Sequence, residues 1–287
     1  MSILPANRQY KKTQKNNRQV CKMVRDLGVQ LYSLRDYSKD DFPSVLEFVA
    51  EVGYKAVEPA GLYGYTPKEV KKMIDDLGLK MYTTHSPWAC RGPVSETIDV
   101  AGEFGIDKVA CGFGPDDFKD MDAIKRTADL VNSYIPDLKK AGITLFQHNH
   151  SWEFERIDGR LKYEIYAEMV PEVKFQIDAF WSSNFGANDP AEMVKLFADR
   201  MVSLHIKDGS FEQDAAKWRM VDGYPDRDLK LRPLGTGQMD IPAIIAATPD
   251  TVNCAIVELD YCVIEMKEAL RQSYRYMVEN GLAAGNK

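Results

Sequence analysis

The sequence predicts an α/β chain of the (β/α)8 barrel class, and three observations carry that prediction. Eight short apolar runs recur along the chain, most of them roughly 25 to 35 residues apart, which is the repeat of a strand, a loop and a helix. Helix-start signals lie between the runs, and glycines fall where the intervening helices should end. No GxGxxG follows the first run, which disfavours the runner-up architecture, a doubly wound open sheet.

The runs, in order, are GVQLYSL from Gly28, YKAVEPA from Tyr54, LKMYTTH from Leu79 and DKVACGF from Asp107, then ITLFQHNH from Ile143, VKFQIDAFW from Val173, VSLHIKD from Val202 and CAIVELD from Cys254. Thr66-Pro67-Lys68-Glu69 offers an N-cap, a proline at the first helical position and a glutamate placed for a capping box, and Asp189-Pro190-Ala191-Glu192 repeats the logic. Gly53, Gly78, Gly105 and Gly142 stand where left-handed C-caps are wanted. Ser210 to Lys230 shows neither a clear strand nor a long helix. A loop of that length on the C-terminal face of a barrel is expected to act as a lid.

Composition narrows the function. With 287 residues, 45% of them hydrophobic, the chain can bury a sizeable core. A formal charge of -6 argues against nucleic acid as the main partner. Cys21, Cys90, Cys111, Cys254 and Cys262 are odd in number and form no CxxC pair, so a reducing, cytoplasmic setting is expected. No apolar run is long enough to span a bilayer. Residues 1–26 read as a basic extension without a secretory signal, and residues 27–287 as one barrel domain.

In a parallel barrel the C-terminal strand ends converge into a mouth. The runs end on Glu58, His85, His148 with His150, Asp178, His205 with Lys207 and Asp208, and Glu258 with Asp260. A satisfied polar residue accounts for any one of these alone, but nearly every run supplies one. Asp178, His205 and Glu258 offer three ligands for a divalent ion, and His148 or Glu153 offers a fourth. Mixed imidazole and carboxylate ligation suits Mn, Co, Zn or Fe(II), with Mg also admitted, over Ca. Tyr32, Trp88, Trp152 and Trp181 lie at or just beyond run ends, where rings can stack on a sugar. Trp181 is the foremost of these.

The set GVQLYSLRD, ITLFQHNHSWEFE, QIDAFW, LHIKD, LGTGQMD and VELD resembles the sugar phosphate isomerase/epimerase proteins of the xylose isomerase-like barrel superfamily, from about Leu27 to Leu282. The resemblance implies a metal at the mouth, proton transfer beside a sugar carbonyl, and ligand roles for Asp178, His205 and Glu258. Many relatives carry a glutamate where this chain has His148, so the symmetric carboxylate pair of the family's epimerases is broken here. Two substitutes are open: His148 itself as ligand or base, and Glu153 in the missing carboxylate's place.

The expected mechanism has the metal chelating a ketose carbonyl and an adjacent hydroxyl to stabilise an enediolate, with His148 or Glu258 as base. Lys207 is expected to neutralise developing oxyanion charge, and Glu58, His85, His150, Trp88, Trp181 and Tyr32 to bind substrate. The partner is a small sugar or keto-sugar, with a homo-oligomer also open. Isomerase or epimerase chemistry is preferred, and a lyase or dehydratase acting on a 3-keto sugar is the alternative. An abasic-site endonuclease is disfavoured by the acidic balance, and a sugar-binding barrel without activity is the non-enzymatic alternative.

Overall fold

The computed structural model describes residues 25–221 and 224–287. Its central sheet contains seven parallel strands: β1 (Asp26–Gln30), β2 (Ala56–Glu58), β3 (Lys108–Cys111), β4 (Thr144–His148), β5 (Lys174–Asp178), β6 (Met201–Ile206) and β7 (Cys254–Val257). Their lateral order is β2-β1-β7-β6-β5-β4-β3. The first and last strands in sequence are therefore neighbours, as ring closure requires.

The expected strand from Leu79 is not one. Only Lys80 pairs with β2, through Val57 N to Lys80 O at 2.9 Å, and the chain reaches β3 through Ala89 N to Ala110 O at 2.8 Å. Between those points the main chain is satisfied locally: Ser86 N donates to Thr84 Oγ1 at 3.0 Å, and that hydroxyl donates to Ser86 O at 3.1 Å. Side-chain bonding of this kind competes with a ladder, so seven strands and one irregular segment make the ring.

Among the described residues, eight helices of seven or more residues follow the strands and the irregular segment: α1 (Arg35–Val52), α2 (Pro67–Asp76), α3 (Val94–Phe104), α4 (Met121–Lys140), α5 (Lys162–Met169), α6 (Pro190–Phe197), α7 (Ile241–Ala247) and α8 (Met266–Glu279), with one further α-helical turn at Ala179–Ser182. α2 opens with the reciprocal Thr66–Glu69 capping box, and Asp189 caps α6 by accepting from Ala191 N and Glu192 N. Gly53, Gly78, Gly105 and Gly142 all have positive φ.

Strand alternation sorts the side chains into two layers. Leu27, Val29, Phe175, Ile177 and Leu204 join the apolar core, while Gln30, Gln176, Asp178, Ser203 and His205 are buried polar residues. At the N-terminal end of the strands the packing is tight, since a Cβ at Gly28 would meet Cys254 Sγ at 2.8 Å. Arg25 belongs to this end of the fold: its guanidinium donates to Thr248 O and Pro249 O, both at 2.7 Å. The rest of the basic extension, 1–24, lies outside the described residues.

The segment after β6 differs from the expected plain loop. Asp208–Ser210 pairs antiparallel with Lys230–Arg232, and Arg219–Val221 pairs with Tyr224–Asp226. Phe211 anchors it in a small apolar cluster with Phe180, Leu231 and Leu259. Among the described residues, the cavity at the mouth takes none of its lining from this segment, which was expected to act as a lid.

Candidate active site

β4, β5 and β6 bring His148, Asp178 and His205 to one end of the ring, and Glu258 follows β7 directly. One ligand atom from each of these four buried residues lies within 4.8 Å of those of the others. An overlapping group joins His85, His148 and His205. Beside them opens a cavity of about 420 Å³, with His85, His148, His150, Glu258 and Asp260 on its polar side and Tyr32, Pro87, Trp88 and Arg91 at its wall and rim.

His205 stands between two carboxylates, with Nε2 2.5 Å from Glu58 Oε2 and Nδ1 2.7 Å from Glu258 Oε2. Burial opposes its charged form, but Glu58 and Glu258 outweigh burial and push its pKa up to about 10. Burial likewise works to raise the Glu58 carboxyl, and the neighbouring His85 and His205 bring it down to about 2. Glu258 is held well below the ordinary carboxylate range, because Lys207 and His205 outweigh its burial.

Lys207 donates to Glu258 Oε2 at 2.6 Å and to Asp260 Oδ2 at 2.9 Å, and its Nζ lies 3.1 Å from Asp178 Oδ2. That last pair is an ion pair without hydrogen-bond alignment, so Asp178 Oδ2 remains buried with no hydrogen bond. Burial raises the Asp178 carboxyl to about 6, while its Oδ1 accepts from Trp181 N at 2.9 Å. A buried carboxylate oxygen left over, two imidazoles and a second carboxylate form a donor set that fits a divalent ion.

Several sequence expectations meet different surroundings. Glu58 is fully buried and does not line the cavity; Gln30 and Gln176 donate to it, so it braces His205 where a hydroxyl-binding role was expected. Lys207 is enclosed by three carboxylates and is absent from the cavity lining. Glu153 stands outside both ligand groups. Its Oε2 accepts from His150 N at 2.9 Å, and burial pushes its carboxyl up to about 8. Trp181 packs edge-on to Phe180 and Phe185 and is not in the lining, because Asp178 caps the helical turn that carries it. Trp152 stacks on His150 at 4.3 Å. Tyr32, Trp88, His85 and His150 do line the cavity.

Asp208 is a loop organiser. Its buried carboxylate accepts from the backbone N–H groups of Gly209, Gly235, Gly237 and Met239 at 2.8 to 3.1 Å. The sequence reading missed Gln176, which links Glu58, Ser203, His85 and His148. Its place two residues before Asp178 on a strand was the available signal, since both then face the interior.

The family described as "Xylose isomerase-like TIM barrel" matches residues 46–277. Similar solved structures include a sugar phosphate isomerase/epimerase from Parabacteroides distasonis, with 23% identity, TM-score 0.70, and coverage of 93% of this chain and 98% of that one. An L-ribulose 3-epimerase shares 17% identity at TM-score 0.62, over 91% of this chain and 95% of that one. A probable 3-DHS dehydratase from Bacillus anthracis shares 14% identity at TM-score 0.64, over 88% and 98%. At these identities the likeness establishes the fold. No curated protein matches the chain. A seven-stranded parallel ring with its polar cluster at the C-terminal strand ends, together with a family match over most of the sequence, shows that the chain belongs to the xylose isomerase-like TIM barrel family.

Proposed function

We propose that the chain is a metal-dependent isomerase or epimerase that moves a proton on the carbon beside the carbonyl of a sugar or keto-sugar. The observation that carries this reading is the buried group of His148, Asp178, His205 and Glu258, of which His148 and Glu258 line a partly aromatic cavity. Those four residues would hold the ion, which supplies electrostatic stabilisation for negative charge developing on substrate oxygen.

The chain's own groups account for the proton. Both hydrogen bonds to Glu258 land on Oε2, and the residue lines the cavity, so Oε1 is the atom that can accept a proton from substrate. Lys207 and His205 keep that carboxylate ionised while it waits. Trp88 and Tyr32 exclude water and give apolar faces to the sugar's C–H groups. Returning the proton to the neighbouring carbon isomerises the substrate.

One observation favours a second reading, elimination from a 3-keto sugar. Epimerisation between two carboxylates needs a partner opposite Glu258, yet position 148 is histidine and Glu153 is turned into the protein against His150 N.

The test is incubation of metal-loaded protein with ketoses and 3-keto-glycosides in D2O. Deuterium at the α-carbon without loss of a substituent supports isomerase or epimerase chemistry, and release of a leaving group identifies the lyase. Binding without turnover under any divalent metal, indifferent to Glu258→Gln, would leave only a sugar-binding barrel.

A further inference from the structure

Beneath the four-residue group lies a layer of Glu58, Gln176 and Ser203, and its hydrogen bonds specify where protons sit. An ionised carboxylate only accepts. The atom of Gln176 that faces Glu58 at 2.9 and 3.2 Å is therefore its amide nitrogen, which also lies 2.9 Å from Ser203 Oγ. A flipped amide would set a carbonyl oxygen against a carboxylate. Gln176 Oε1 is thus fixed as an acceptor, 3.0 Å from His148 Nδ1 and 2.7 Å from His85 Nε2.

Each of those ring nitrogens must carry a hydrogen to make its bond. The lone pair of His148 then belongs to Nε2. By the same reasoning Glu58 Oε2, 2.5 Å from His205 Nε2, and Glu258 Oε2, 2.7 Å from Nδ1, each require a hydrogen on the nitrogen they face, and only Nδ1, whose partner Glu258 is itself a ligand, can exchange that hydrogen for an ion.

We propose that Glu58 and Gln176 are positioning residues that each hold one nitrogen of a ligand imidazole, so that His148 presents Nε2 and His205, once its Nδ1 hydrogen is displaced, presents Nδ1 to a divalent ion. The inference rests on the metal reading above and deepens it. His85 Nε2 is held by the same Gln176 oxygen, and the ion is assigned to the group that includes both carboxylates, His148, Asp178, His205 and Glu258. Partners that hold the second nitrogen of a ligand histidine govern its orientation and basicity.

The chain has four histidines, so its imidazole nitrogens can be assigned one by one in full-length protein labelled with 15N-histidine. Zinc alone is the probe, because it is diamagnetic. In metal-free protein, long-range proton–nitrogen correlations should show His148 neutral with its hydrogen on Nδ1. On adding zinc, His148 Nε2 and His205 Nδ1 should move to bound-nitrogen shifts. Gln176→Met, which keeps length and removes the amide, should blur the His148 tautomer and weaken zinc binding about 10- to 100-fold.

A hydrogen on His148 Nε2 in metal-free wild type overturns the proposal, and that measurement needs no variant to fold. Unchanged tautomers and zinc affinity in Gln176→Met overturn it as well. Failure of wild type to bind zinc overturns the metal reading, and is distinguishable because the metal-free spectrum reads the His148 tautomer by itself.

Discussion

Lys207 Nζ lies 2.6 Å from Glu258 Oε2 and 3.1 Å from Asp178 Oδ2, so one buried ammonium serves two carboxylates of the ligand group. Removing it as Lys207→Met leaves uncompensated buried charge, at a cost of about 3–5 kcal/mol in metal-free protein. A divalent ion compensates the same oxygens. The rise in Tm on adding saturating zinc should therefore be larger in Lys207→Met than in wild type, as thermal unfolding with and without metal would measure. Equal rises would mean that Lys207 and the ion do not answer to the same carboxylates.

Glu258→Gln keeps the shape of the side chain and removes the charge that Lys207 and His205 hold in place. Loss of a general base that is also a ligand should lower turnover by at least about 100-fold. Far-ultraviolet circular dichroism should be unchanged. Turnover within a few-fold of wild type would remove Glu258 from the proton-transfer step.

Asp208 stands at a run end but serves the backbone of a loop. Its carboxylate serves four backbone N–H groups, and a Cβ at Gly237 would lie 2.1 Å from its Oδ1, so LGTGQMD wraps a side chain belonging to the barrel's own strand end. Asp208→Ala should destabilise the protein by roughly 3 kcal/mol or more, since several donors lose their acceptor together. Asp208→Asn should cost less, because one carbonyl oxygen remains. Chemical denaturation of both variants ranks them, and equal costs would contradict the wrapping.

The strand periodicity and the run ends made the ring and the group of His148, Asp178, His205 and Glu258 legible in sequence, because alternation alone sends those side chains inward. What stayed hidden depends on pairing across the ring. Glu58 and His85 have equivalent sequence positions, yet His85 reaches the cavity while Glu58 sinks beneath it to meet His205. Glu153 sits close to two histidines in sequence, but a short helical turn over Trp152–Phe154 sends it to the backbone of His150. Gln176 carries no charge and no ligand atom that would mark it, and its importance appears only when four partners from elsewhere in the ring surround it.

Trp88 depends on a glycine across the chain. A Cβ at Gly112 would lie 2.5 Å from the indole, and the ring packs 4.4 Å from His85 at the cavity wall. Gly112→Ala should push the indole into the cavity and raise KM more than it lowers kcat, with an overpacking cost of about 1–3 kcal/mol. Steady-state kinetics separates the two constants. A fall in kcat with KM unchanged would place Trp88 away from substrate binding.

At the opposite end of the barrel, Asp26 Oδ2 accepts from Lys80 Nζ at 2.6 Å and from Tyr82 OH at 2.7 Å, and Lys55 lies 3.2 Å from Oδ1. Burial works to raise its carboxyl, but Lys80, Tyr82 and Lys55 together hold it below the ordinary value of 3.8. A folded-state pKa below the unfolded one means that the unfolded chain binds the proton first as pH falls. The stabilisation is therefore complete above the ordinary aspartate range and is lost as pH drops through 3.8 towards the lower folded value. Asp26→Asn should cost about 1.5–3 kcal/mol at pH 7, as hydrogen bonds to a charged group do. Urea unfolding of both proteins at pH 7, 5 and 3 should show a constant gap between the first two and a smaller gap at the third. A gap that widened on acidification would require an aspartate whose folded pKa is raised, contrary to its three cationic and hydroxyl partners.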